Sequence, residues 1–108
     1  MLTVFLFYMV TTIDAFRDYL QKEKKYSPHT VSAYLNDIIT FQAFNAIHFD
    51  QEDIDQVNYS QIRNWIVSLV DAGMSNVSVN RKMASLKAFY KFLLKIKQIQ
   101  ISPLLKHK

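Results

Sequence analysis

Residues 78–97 read SVNRKMASLKAFYKFLLKIK, and every charge among them is positive. At about 100° per residue, Val79, Met83, Leu86, Tyr90 and Leu93 fall within one apolar arc, the pattern of a helix that lays one side on a core. The stretch is therefore a core-anchored helix and not a disordered basic arm. Beside the arc, Ser78, Arg81, Lys82 and Ser85 stand at i, i+3, i+4 and i+7, and Asn80, Lys87, Lys91 and Lys95 make a further polar stripe. The Ser78–Ser85 stripe is expected to face outward as a unit, with Phe89, Phe92 and Ile96 continuing it as apolar residues. Tyr90, on the apolar arc, reads as a packing residue and not a nucleophile.

The neighbouring segments read as helices too. Ser75 is a cap for the basic helix, which is predicted to run to about residue 97, short of the Ser102-Pro103 block. Gly73 falls where a left-handed residue would end a preceding helix over about 60–72, in which Ile62, Trp65, Ile66, Leu69 and Val70 recur at core spacing. Ser27-Pro28 opens a helix over about 28–45: Ser accepts from free backbone N–H groups, and Pro at the first position loses no hydrogen bond. Val31, Leu35, Ile38 and Phe41 or Gln42 line its apolar stripe, with Tyr34 beside them. Thr11 and Asp14 start a first helix over about 12–24, with Ile13, Phe16 and Leu20 inward. Residues 48–58, HFDQEDIDQVN, are acidic and lack periodicity, so they read as a long connection that Phe49, Ile54 and Val57 anchor to the core. No strand-like alternation occurs. The fold class is all-α, a compact bundle of about four helices.

Composition narrows the function. The chain has 108 residues, half of them apolar, with one Gly and two Pro, which suits one packed domain. The reading is an apolar extension at 1–11, a helical domain at 12–101 and the start of a linker at 102–108. With no Cys and three scattered His (His29, His48, His107), neither a disulfide, a metal site nor a cofactor is expected. Asp50, Glu52, Asp53 and Asp55 have no Gly among them and do not match a calcium loop. No Gly-rich phosphate loop or nucleophile–base set is present. MLTVFLFYMV, at 1–10, is shorter than the ~20 residues of a membrane span and lacks a signal peptide's basic start, so a cytoplasmic protein without a membrane partner is expected.

Charge is divided unevenly along the chain. Residues 1–71 carry five Lys/Arg against nine Asp/Glu, −4 in all, and residues 72–108 carry eight against none, +8. Such asymmetry points to a polyanionic partner. The mixture of cations with short hydrogen-bonding groups at Ser78, Arg81, Lys82 and Ser85 suits phosphate positioning combined with base reading in double-stranded DNA. Asn76, at the helix start, and Asn80 add donors beside the free N–H groups of the first turn.

Two segments now resemble a known family. YSPHTVSAYLNDIITFQAF (26–44) has Ser-Pro-x-Thr followed by Tyr, Asp and Phe at helical intervals. GMSNVSVNRKMASLKAFYKFLL (73–94) has Gly-x-Ser, a basic pair, and Ser-Leu-Lys-x-Phe-Tyr-x-Phe-Leu. In this order they are similar to the N-terminal core-binding domain of tyrosine recombinases, the phage integrase and Xer-type group, over about residues 13–104. The resemblance implies a SAM-like four-helix domain that grips one face of a recombination site while a separate catalytic domain grips the other. It places Ser27, His29, Thr30 and Tyr34 at or near the DNA backbone, Asn76, Ser78, Arg81, Lys82 and Ser85 in the major groove, and Lys87 on a phosphate. The implied partners are duplex DNA, the catalytic domain of the parent recombinase and other protomers on DNA. The family's catalytic set of Arg, Lys, His-x-x-Arg and a Tyr nucleophile is not found in these residues, so DNA binding without strand cleavage is expected. The alternative is a helical protein-interaction module docking a subunit through Phe89, Phe92 and Ile96.

Overall fold

The computed structural model describes residues 12–105. Four helical segments follow in order: α1, over 12–18 and passing into a π-helical turn at Tyr19–Glu23; α2, Pro28–Phe49; α3, Tyr59–Asp71; and α4, Asn76–Lys95. A 3-10 turn, Ile54–Gln56, interrupts the connection between α2 and α3. The described residues contain no strand. The start of α1 at Thr11 and the 1–11 extension lie outside the described residues.

Each boundary has a local chemical cause. The Thr30 N–H donates to Ser27 Oγ at 3.2 Å, and Pro28 occupies the first position of α2. The Ser78 N–H donates to Ser75 Oγ at 3.2 Å to open α4. A reciprocal capping box opens α3: the Gln61 N–H donates to Asn58 Oδ1, and the Asn58 N–H donates to Gln61 Oε1, each at 3.1 Å. Gly73, at φ 91°, ends α3 as its position suggests; its N–H reaches the Val70 carbonyl and that of Met74 the Leu69 carbonyl. The same pair of bonds ends α4, with Lys97 in the left-handed position at φ 62° and Gln98 N–H on the Leu93 carbonyl. That backbone motif, ahead of Ser102-Pro103, stops the helix at Lys95.

α2 continues one turn beyond the expected residue 45, so His48 and Phe49 are helical and Asp50, at φ 51°, ends it. Buried Asn45 explains the extension. Its side chain donates to the Phe41 carbonyl at 2.9 Å and accepts from Gln61 Nε2 at 2.8 Å, joining the last turns of α2 to the first turn of α3. Ile54 and Val57 are buried and pin the acidic connection, whereas Phe49 is exposed and packs on Phe44.

The core lies where α2 and α4 meet, and α1 and α3 close it. Phe16, Leu20, Ile38, Phe41, Ile62, Trp65, Leu86, Phe89, Tyr90 and Leu93 are all buried. Trp65 packs on Phe41 at 5.0 Å between ring centroids, and the Tyr90 hydroxyl donates to the Ile54 carbonyl at 2.6 Å, which accounts for both as structural residues. The expectation for Phe89 and Phe92 is corrected. Both are buried against α1, with Phe16 at 5.3 and 5.5 Å respectively, and only Ile96 of that trio is exposed. Val70, expected in the core from α3, faces solvent.

Candidate nucleic-acid interface

α4 packs against α1 through Phe89 and Phe92 and against both α2 and α3, so eight of its 20 residues are buried. The face expected to point outward is therefore divided. Arg81 keeps 45% of its side-chain surface exposed, but Lys82 keeps 10% and Ser85 is fully buried. An outward orientation of Lys82 and Ser85 is thus corrected: both point at α2.

Their target is Asp37, a fully buried carboxylate of α2. Arg81 Nη2 and Lys82 Nζ both reach Asp37 Oδ1, at 2.7 and 2.8 Å, and Ser85 Oγ donates to Oδ2 at 2.6 Å. A buried carboxylate needs such donors, because removing charge from water costs several kcal/mol unless ion pairs and hydrogen bonds replace the lost hydration. Two cations on one carboxylate leave an excess of one positive charge at the α2–α4 seam. That excess is presented on the Arg81 side, where the surface is open.

The other expected site residues occupy three settings. Ser27 and Thr30 form the N-terminal cap of α2, with Ser27 Oγ donating to Thr30 Oγ1 at 3.1 Å, and His29 beside them is exposed. Tyr34 is half-buried, its ring edge-on to Tyr26 at 5.6 Å. Burial pushes the Tyr34 hydroxyl pKa up, the nearby Tyr26 and Asp37 raise it further, and Arg81 opposes them, which places Tyr34 beside the Asp37–Arg81 pair. Ser78 shares the α4 cap by accepting from Ser75 Oγ at 3.1 Å, while Asn76, Asn80 and Lys87 are exposed.

Lys87 and Lys91 are exposed and make no ion pair among the described residues. Lys95, by contrast, pairs with Glu23 of α1, which pushes its pKa up, and lies over the Tyr19 ring. Arg81, Lys87, Lys91 and Lys95 all keep exposed surface on α4, and of the four Lys87 and Lys91 make no ion pair among the described residues. Sequence reasoning missed Asp37 as the group that holds Arg81, Lys82 and Ser85. Its signal was its place as the sole acid between Lys24 and Phe49, beside the apolar stripe and three residues after Tyr34.

No group of three or more His, Cys, Asp or Glu among the described residues is placed to hold a metal ion, and no helix there is long and apolar enough to cross a membrane. What the seam offers is a fixed set of donors on two adjoining helices, with the positive charge carried by α4.

This arrangement belongs to an identifiable class: the chain is a member of the phage integrase N-terminal SAM-like domain family, whose model matches residues 13–97. Among individual relatives, it is 35% identical over 91 residues to the tyrosine recombinase XerC of Lacticaseibacillus casei, covering 84% of this chain and 30% of that protein. XerC of Anoxybacillus flavithermus is 40% identical over 93 residues, covering 85% of this chain and 30% of the relative. XerC of Oceanobacillus iheyensis is 41% identical over 81 residues, covering 75% and 26%. The chain thus spans 30% of the length of the first relatives it matches. No solved structure gives a significant match.

Proposed function

We propose that this chain is the core-binding part of a site-specific tyrosine recombinase, gripping duplex DNA along α2 and α4 while a catalytic domain elsewhere in the parent supplies strand breakage and rejoining. The observation that carries this reading is the open cationic side of α4, where Arg81, Lys87 and Lys91 are exposed and no acidic residue follows Asp71. Asn76, Asn80 and the first turn of α4 provide uncharged donors at one end of that side. Ser27, His29, Thr30 and Tyr34 supply a second contact line on α2. Lys82 and Ser85 act from beneath, by shaping the surface. The recombinase would work in the cytoplasm, with duplex DNA, its own catalytic domain and neighbouring protomers as partners.

An interaction module built on Phe89 and Phe92 is not favoured, since both rings are core residues. Fluorescence anisotropy with a labelled 30-base-pair duplex of random sequence tests the DNA reading. Counterion release by three phosphate-contacting cations predicts an affinity loss of about fortyfold between 50 and 200 mM salt. Absence of binding at 50 mM salt would sink the proposal, as would binding that salt and an Arg81→Ala/Lys87→Ala variant leave unchanged.

A further inference from the structure

We infer that Asp37, which contacts no ligand in this scheme, is a positioning residue that holds Arg81 ready for a phosphate oxygen of duplex DNA; the inference rests on the DNA-binding reading above. Arg81 has one polar side-chain partner among the described residues, the Nη2 contact to Asp37 Oδ1 at 2.7 Å. A guanidinium carries five N–H donors, so this single contact leaves most of them for a ligand. Its anchor cannot swing away. Asp37 is fully buried, Lys82 holds Oδ1 from the other side at 2.8 Å, and Ser85 holds Oδ2 at 2.6 Å.

The division of labour among the cations follows from burial. Lys82 is enclosed and offsets the charge of Asp37, so Arg81 keeps its full electrostatic attraction for an anion although it is tethered to a carboxylate. A free arginine on a helix surface samples many rotamers and gives that freedom up on binding, whereas the tether has removed much of it beforehand. Asp37, Lys82 and Ser85 therefore form a mount, and Arg81 is the part that touches DNA.

The test is a double-mutant cycle read by anisotropy with the random-sequence 30-base-pair duplex at 50 mM salt. Asp37→Asn/Lys82→Met removes one negative and one positive charge, so the net charge and the long-range attraction stay the same. It is expected to weaken binding about tenfold when Arg81 is present and less than twofold in an Arg81→Ala background. Ser85→Ala, which keeps every charge, is expected to weaken binding about threefold with the same dependence on Arg81, and it serves if the paired variant does not fold by circular dichroism. Equal losses in both backgrounds, or no loss where Arg81 is present, would overturn the inference. Wild-type protein that fails to bind the duplex refutes the underlying DNA reading instead, a result distinct from an additive cycle.

Discussion

Replacing Asp37 with Ala should be among the most damaging single changes in the domain. It leaves the Lys82 ammonium, 10% exposed, without its counter-charge. Removing one partner of a buried pair costs about 3–5 kcal/mol, because the remaining charge stays desolvated. Two features place the cost near the lower bound. The Lys82 stem is long enough to lift its ammonium part-way to water. Ser85 Oγ also has a second acceptor, the Arg81 carbonyl at 3.2 Å, so its hydroxyl is not orphaned. A loss of about 3 kcal/mol lowers the melting temperature of a domain this size by about 12–24 °C. Urea unfolding followed by circular dichroism measures it as a fall in midpoint at unchanged slope. Asp14→Ala is the control: it breaks an equally short pair with Arg17, at 2.7 Å, whose side chains are 62% and 44% exposed. That surface pair is worth about 0.5 kcal/mol. The reasoning is refuted if Asp37→Ala costs no more than Asp14→Ala, or if 1 M salt erases the difference between wild type and Asp37→Ala, since a buried pair is screened weakly.

Two further outcomes are expected. Lys97→Gly should stabilise the fold by about 1 kcal/mol, because Lys97 holds a left-handed conformation that glycine adopts without steric cost; an unchanged or lower urea midpoint would contradict the assignment of strain there. Tyr34, whose pKa burial raises from its ordinary 10.0, should ionise above pH 10.0 in an alkaline absorbance titration, and Tyr34→Phe should remove that part of the titration. The neutral hydroxyl is favoured in the folded state, so this contribution to stability is complete below pH 10.0 and is lost as pH rises through the higher folded value. A Tyr34→Phe protein whose stability declines above pH 10.0 as steeply as wild type would contradict it.

Helix starts and stops were legible because their causes are local. Ser27-Pro28, Ser75 and Gly73 act within three or four residues of themselves, and the structure uses each at its expected boundary. The extra turn of α2 was not legible, since it depends on the Asn45–Gln61 bond between residues 16 apart in sequence. The same limit explains the error at the candidate interface. A helical wheel identifies the centre of the buried arc of α4 but not its width, which depends on how many neighbours cover the helix. With α1 on one flank and α2 on the other, Phe89, Phe92, Lys82 and Ser85 all pass inside. A buried lysine looks like a surface lysine until its acid is found, and that acid lies 45 residues earlier.

The Asp37 seam also answers a problem of alignment. Val79, Met83, Leu86, Tyr90 and Leu93 repeat at helical spacing, so an apolar stripe of this kind tolerates sliding one turn along its neighbour with much of its burial retained. The polar group does not slide. One turn of displacement would strand Lys82 in an apolar environment and empty the Asp37 carboxylate of its donors, at a cost of several kcal/mol. Oil-like contacts hold the two helices together; one carboxylate decides which of the available alignments they adopt.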